Sequence, residues 1–114
     1  MSLEVYAAYL TTEKRMTDNT KQAYLRDLRH FSNFAEARGI DDPAEASSTD
    51  ILAYLMELKT GGRSKSTVNR KLASLRTYYQ YLIKMREIFE NPTESIKSPK
   101  VEKKEIQYLT TEEI

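Results

Sequence analysis

Between Ser64 and Phe89 the apolar residues Val68, Leu72, Leu75, Tyr79 and Leu82 recur at alternating steps of four and three. Only an α-helix turns that spacing into one continuous stripe. A long amphipathic helix cannot bury its stripe alone, so the rest of the chain has to supply facing surfaces. It offers three more helical patterns and no strand-like alternation. Leu3, Tyr6, Ala7 and Leu10 define a segment over about Ser2 to Arg15. Tyr24, Leu28, Phe31 and Ala35 define a second, flanked by Leu25 and Phe34, which starts at a Thr17 or Asp18 cap and stops at Gly39. The loop Ile40 to Ser48, with its Asp41-Asp42-Pro43 turn, leads to a cap at Ser48 or Thr49. A third segment then buries Ile51, Tyr54, Leu55 and Leu58 before Gly61-Gly62 ends it. Ser64 caps the fourth segment, which is expected to reach about Phe89. The fold class is therefore all-α, with four main helices and room for a short fifth.

Size and composition narrow what such a bundle can do. A chain of 114 residues buries only about two thirds of its unfolded surface, which supports one compact core rather than two lobes around a cofactor. There is no Cys and a single histidine, His30, so thiolate sites, disulfides and histidine-based zinc sites cannot be built. The three glycines, at 39, 61 and 62, form no phosphate-cradling loop. No apolar run approaches the roughly 18 residues of a membrane span, and the opening residues lack the basic start of a secretory signal. These features predict a cytoplasmic protein without a cofactor, a metal or a membrane partner.

The net charge of +1 conceals a segregation. Glu36 to Glu57 holds six acidic residues and one basic, Arg38, whereas Leu58 to Arg86 holds eight basic residues and no acidic one. A block so unbalanced repels itself unless a polyanion relieves it. On the wheel of the fourth segment, Ser66, Arg70, Ala73 and Thr77 lie opposite Val68, with Asn69 and Arg76 to one side. Short polar and basic side chains of this kind allow a helix to approach phosphates and base edges.

No reaction centre accompanies that surface. Most of the eight tyrosines occupy inward or flanking helix positions and read as core aromatics. The pairs Asp41-Asp42 and Glu112-Glu113 are explained by a turn and a helix start. His30 reads as a solvated or half-buried side chain on a flank of the second segment. Beyond Asn91-Pro92 the apolar pattern gives way to a charged, proline-containing stretch, and Thr110 with Glu113 forms a capping box that opens another helix.

Taken in order, TDNTKQAYLRDLRHFSNFAEARGI, DILAYLMELKTGGRSKSTVNRKLASLRTYYQYLI, ENPTESIKSPK and YLTTEEI resemble the N-terminal core-binding domain of tyrosine site-specific recombinases, the phage integrase and Xer-like group. The telling residues are Thr20, Tyr24, Asp27-Leu28 and Phe31; Ser66-Thr67, Asn69-Arg70-Lys71-Leu72 and Leu75-Arg76; and Asn91-Pro92. The resemblance implies a SAM-like orthogonal bundle over residues 1–90, a linker over 91–107, and the first turn of a catalytic domain over 108–114. It implies one half of a C-shaped clamp on double-stranded DNA, acting in DNA integration and recombination. The family's catalytic set of Arg, Lys, His-x-x-Arg and Tyr has no counterpart here, so no residue takes a catalytic role.

By the family's pattern the second and fourth helices face the major groove. The expected DNA contacts are Thr20, Lys21 and Arg26 on the second segment, and Ser66, Thr67, Asn69, Arg70 and Lys71 on the fourth. Lys71 projects nearer the core than Arg70. Arg63 and Lys65 serve as phosphate clamps at the start of the fourth segment. The partners implied are duplex DNA and other recombinase protomers in a tetrameric synapse, with the isolated domain monomeric. Two other readings fit part of the pattern. One is a helical protein-interaction module whose acidic and basic blocks pair between copies. The other is a helix-turn-helix regulator, which would want a shorter turn than Ile40 to Ser48.

Overall fold

The computed structural model describes residues 3–96. They form four α-helices: α1 (Leu3–Thr12), α2 (Asp18–Ala37), α3 (Ser48–Thr60) and α4 (Lys65–Lys84). A single 3-10 turn, Pro43–Glu45, lies in the loop between α2 and α3. The described residues contain no strand, and the fold is the all-helical bundle expected from the periodicity.

Local chemistry fixes where α2, α3 and α4 begin. Thr17 caps α2 by accepting from the Thr20 amide, and Ser64 caps α4 by accepting from the Thr67 amide, each satisfying an otherwise orphaned donor. For α3 the cap is Ser47, one residue before the expected Ser48 or Thr49, because Asp50 returns a bond to the Ser47 backbone amide and closes a capping box. Three helices end on the same device. The amide two residues past the cap bonds back across the last turn at Ile40, Arg63 and Glu87, to the carbonyls of Ala35, Leu58 and Leu82. The residue between must adopt a positive φ. Gly39 and Gly62 do so without strain, and Arg86 does so at φ 61. That turn ends α4 at Lys84, short of the expected Phe89, which lies beyond the helix and is 92% exposed.

The core lies where α2 and α4 cross, closed by α1 and α3. Leu28, Phe31 and Ala35 of α2 meet Val68, Leu72, Leu75 and Tyr79 of α4, all completely buried. Each large apolar side chain removed from water contributes about 1.5–3 kcal/mol, offset by ordering of the chain. Ile51, Tyr54 and Leu55 of α3 and Tyr6 and Leu10 of α1 complete the cluster. The hydroxyl of the core residue Tyr79 is tied across the fold, donating to the Pro43 carbonyl at 2.6 Å. This bond holds the Pro43 turn against α4.

The stretch expected to be linker from Asn91 onward begins as packed structure. Thr93 and Ile96 are buried, the Ser48 hydroxyl donates to the Pro92 carbonyl at 2.7 Å, and Arg76 donates to the Ile96 carbonyl at 2.6 Å. Proline and charge in 91–107 suggested an extended chain, but Thr93 and Ile96 supply enough buried contact to fold its first six residues onto α3 and α4. Residues 97–107 and the capping box at Thr110 lie outside the described residues.

Candidate nucleic-acid interface

On α2, Asp27 stands three residues after Tyr24 and four before Phe31, so helical spacing places it on the apolar stripe. On α4, Lys71 stands in the same relation to Val68 and Leu75. Where the two helices pack, these charges meet inside the protein: Asp27 is 1% exposed and Lys71 3%. The Lys71 ammonium donates to Asp27 Oδ1 at 3.0 Å. Ser74, buried one turn further along α4, donates to Oδ2 at 2.9 Å. Arg70 approaches from the solvent side, with Nη2 2.9 Å from Oδ1 and Nε 3.2 Å from Oδ2. Three donors within five residues of α4 thus converge on one carboxylate of α2.

Burial alone would push Asp27 toward protonation. The hydrogen bonds from Arg70, Lys71 and Ser74, with the Lys71 charge, outweigh it and hold the carboxyl below its usual range. Lys71 also lies 3.1 Å from His30 Nδ1. An ammonium has only donors, so Nδ1 accepts and the neutral ring carries its proton on Nε2. Partial burial, the Lys71 charge and the charges of Arg26 and Arg63 lower the His30 pKa, against the opposing pull of Asp27. Desolvation is the largest of these causes, and the Lys71 charge comes next.

The expected contact residues divide into groups. Arg26, Arg63 and Arg70 are exposed and surround the Asp27–His30 spot. Lys65 and Ser66 are exposed on the first turn of α4. Thr20 and Thr67 occupy the same position in their helices, each donating its amide to the cap oxygen and accepting from the cap hydroxyl at its own hydroxyl. Lys21 is half-buried, donating to Thr11 of α1 and lying 3.6 Å from Asp18. Asn69 is half-buried. Lys71 corrects the expectation: its ammonium is spent on Asp27 and His30 inside the bundle, because its position on the apolar stripe overrides its charge. Asp27, Ser74 and His30 were not singled out for the site. The readable signal was the pair of opposite charges on the apolar stripes of two packing helices.

An all-helical domain with a basic face along two crossed helices is the class that this geometry defines. Residues 3–86 match the phage integrase N-terminal SAM-like domain, and the chain belongs to that family. It is 40% identical over 101 residues to the tyrosine recombinase XerC of Herpetosiphon aurantiacus, covering 89% of this chain and 33% of the relative. It is 36% identical over 112 residues to XerC of Halalkalibacterium halodurans, covering 98% and 37%. It is 32% identical over 113 residues to the tyrosine recombinase XerD of Chlorobaculum tepidum, covering 99% and 37%. The chain spans about a third of the length of these curated relatives. No solved structure matches it. Among the described residues no helix is long and apolar enough to cross a membrane.

Proposed function

We propose that this domain binds duplex DNA through the α2–α4 face, as the N-terminal half of a tyrosine recombinase clamp at a recombination core site. The observation that carries the reading is the gathering of Arg26, Arg63 and Arg70 around one seam whose buried carboxylate, Asp27, is already neutralised by Lys71. A cationic surface of this kind attracts a polyanion and tracks its phosphates. Arg26, Arg63, Lys65, Arg70 and Lys21 are the phosphate contacts of this reading, with Lys21 exchanging its bond to Thr11 for one to DNA. Ser66, Thr67 and Asn69 line the approach to base edges, and Thr20 does so from α2. The other partners are recombinase protomers on the same DNA, and the setting is the cytoplasm. Strand cleavage is assigned to no residue of this chain.

The test is a fluorescence-anisotropy titration of the 114-residue chain with a mixed-sequence duplex. Five phosphate contacts predict a loss of roughly five hundredfold in affinity between 50 and 200 mM salt. An Arg63→Glu, Arg70→Glu variant, shown folded by circular dichroism, is expected to lose binding. Equal binding by both proteins, or none at 50 mM salt, would remove the α2–α4 face as the DNA surface.

A further inference from the structure

We infer that Asp27 is a positioning residue for Arg70, holding the side edge of its guanidinium so that the end-on edge presents a fixed two-pronged donor to duplex DNA. The inference rests on the DNA-binding reading above and goes on to say which arginine is pre-aimed, and by what.

The geometry starts from the five N–H donors of a guanidinium, set in a rigid plane. Asp27 engages Nε and Nη2, the two nitrogens of one edge, at 3.2 and 2.9 Å. Three donors remain, and two of them, one on each Nη, form the end-on fork. Asp27 is 1% exposed while the Arg70 side chain is 45% exposed. The edge bound to Asp27 therefore faces inward and the fork faces solvent. Two acceptors side by side match such a fork: the oxygens of a phosphate, or O6 and N7 of a guanine.

The rest of the cluster removes what would otherwise count against this arrangement. A carboxylate beside a DNA-binding arginine ordinarily cancels its charge and repels phosphate. Here Lys71 contributes a compensating charge 3.0 Å from Asp27, so the pair sums to zero and Arg70 keeps a net positive fork. Ser74 holds Oδ2 from below, which fixes the carboxylate plane and with it the guanidinium plane. An arginine held in this way loses less freedom on binding than one that must be ordered by the DNA. If the cluster served only to stabilise the bundle, Lys71 and Ser74 would satisfy the buried carboxylate and the half-exposed Arg70 would add little.

The test exploits the neutrality of the buried pair. Asp27→Asn, Lys71→Met leaves the net charge unchanged and replaces a buried ion pair by groups of similar size, a change that bundles tolerate. Anisotropy titrations at one fixed salt concentration compare wild type, this double variant, Arg70→Ala, and the triple variant, each shown folded by circular dichroism. Arg70→Ala is expected to weaken binding roughly ten- to a hundredfold. The double variant is expected to weaken it about tenfold, and to have no further effect once Arg70 is alanine. Arg70→Lys, which keeps the charge but not the fork, should bind no better than the double variant. An Arg70→Ala loss equal on an A·T-only and a G-containing duplex assigns the fork to phosphate, and a larger loss on the G-containing duplex assigns it to guanine.

The inference is overturned if the double variant binds as tightly as wild type, if it costs as much without Arg70 as with it, or if Arg70→Lys binds normally. In each of those cases wild-type binding stands and only the role of Asp27 falls. Absence of salt-sensitive binding by wild type would take the DNA reading down with it.

Discussion

The two halves of α4 pack against the bundle by opposite means. Its N-terminal half, through Arg70, Lys71 and Ser74, grips α2 by one buried carboxylate. Its C-terminal half meets α1 through aromatic rings: Tyr6 lies edge-on to Tyr78 at 5.2 Å, and Tyr81 sits 5.1 Å from Tyr6 and 4.9 Å from Tyr9. The aromatic half tolerates small displacements, because ring contacts are spread over a broad surface and stay favourable over a range of centroid distances. The ionic half does not, because an ammonium without its carboxylate inside a bundle is severely penalised. Rigidity is therefore concentrated at the end of α4 that carries the basic face.

The sharpest way to break this contrast is Asp27→Ala. It leaves Lys71 buried without a counter-ion and is expected to cost about 3–5 kcal/mol in urea unfolding. Adding Lys71→Met should restore most of the loss. A smaller effect is expected where the aromatic side carries one directional bond: Tyr79→Phe strands the Pro43 carbonyl and should cost about 1–3 kcal/mol. Tyr54→Phe should be smaller still, neutral or stabilising by up to about 1 kcal/mol in the same assay. Its hydroxyl is buried without a hydrogen-bond partner among the described residues, and burial pushes its pKa up to about 12.

The smallest effect concerns pH. His30 has a folded pKa below the ordinary 6.5, so the unfolded chain binds the proton more tightly. The stability contributed by the neutral ring is complete above about pH 6.5 and is lost as the pH falls through the folded value. Thermal unfolding followed from pH 7.5 to 5 should show this slope, and His30→Gln should flatten it. Because DNA phosphates would favour the charged ring, protein bound to duplex should take up protons across the same interval.

How much of this was legible in the sequence follows the same division. Val68, Leu72, Leu75, Tyr79 and Leu82 announced α4 by spacing alone, and all five are buried. Arg26, Arg63 and Arg70 were readable as a surface because basic residues off the apolar stripe stay in solvent. The Asp27–Lys71 pair was not read: each charge taken singly belongs outside, and only the packing of two helices makes one the partner of the other. The end of α4 was missed for a related reason. Ile83 and Phe89 continue an apolar pattern, but the turn at Arg86 depends on backbone bonds that leave no mark in side-chain periodicity. The Ser47 cap was obscured by a run of hydroxyl residues in which only the reciprocal bond from Asp50 decides the register.

The packing of residues 91–96 against α3 and α4 has a mechanical meaning. Six residues drawn out straight would span about 20 Å. Held down by Ser48 and Arg76, they contribute none of that length and bring Ile96 back onto the flank of the bundle. Arg76 sits less than two turns from Arg70 on the same helix, so the anchor of residues 91–96 and the basic face turn as one body. A displacement of residues 91–96 is delivered to α4 itself through Arg76, and a tilt of α4 carries those six residues with it.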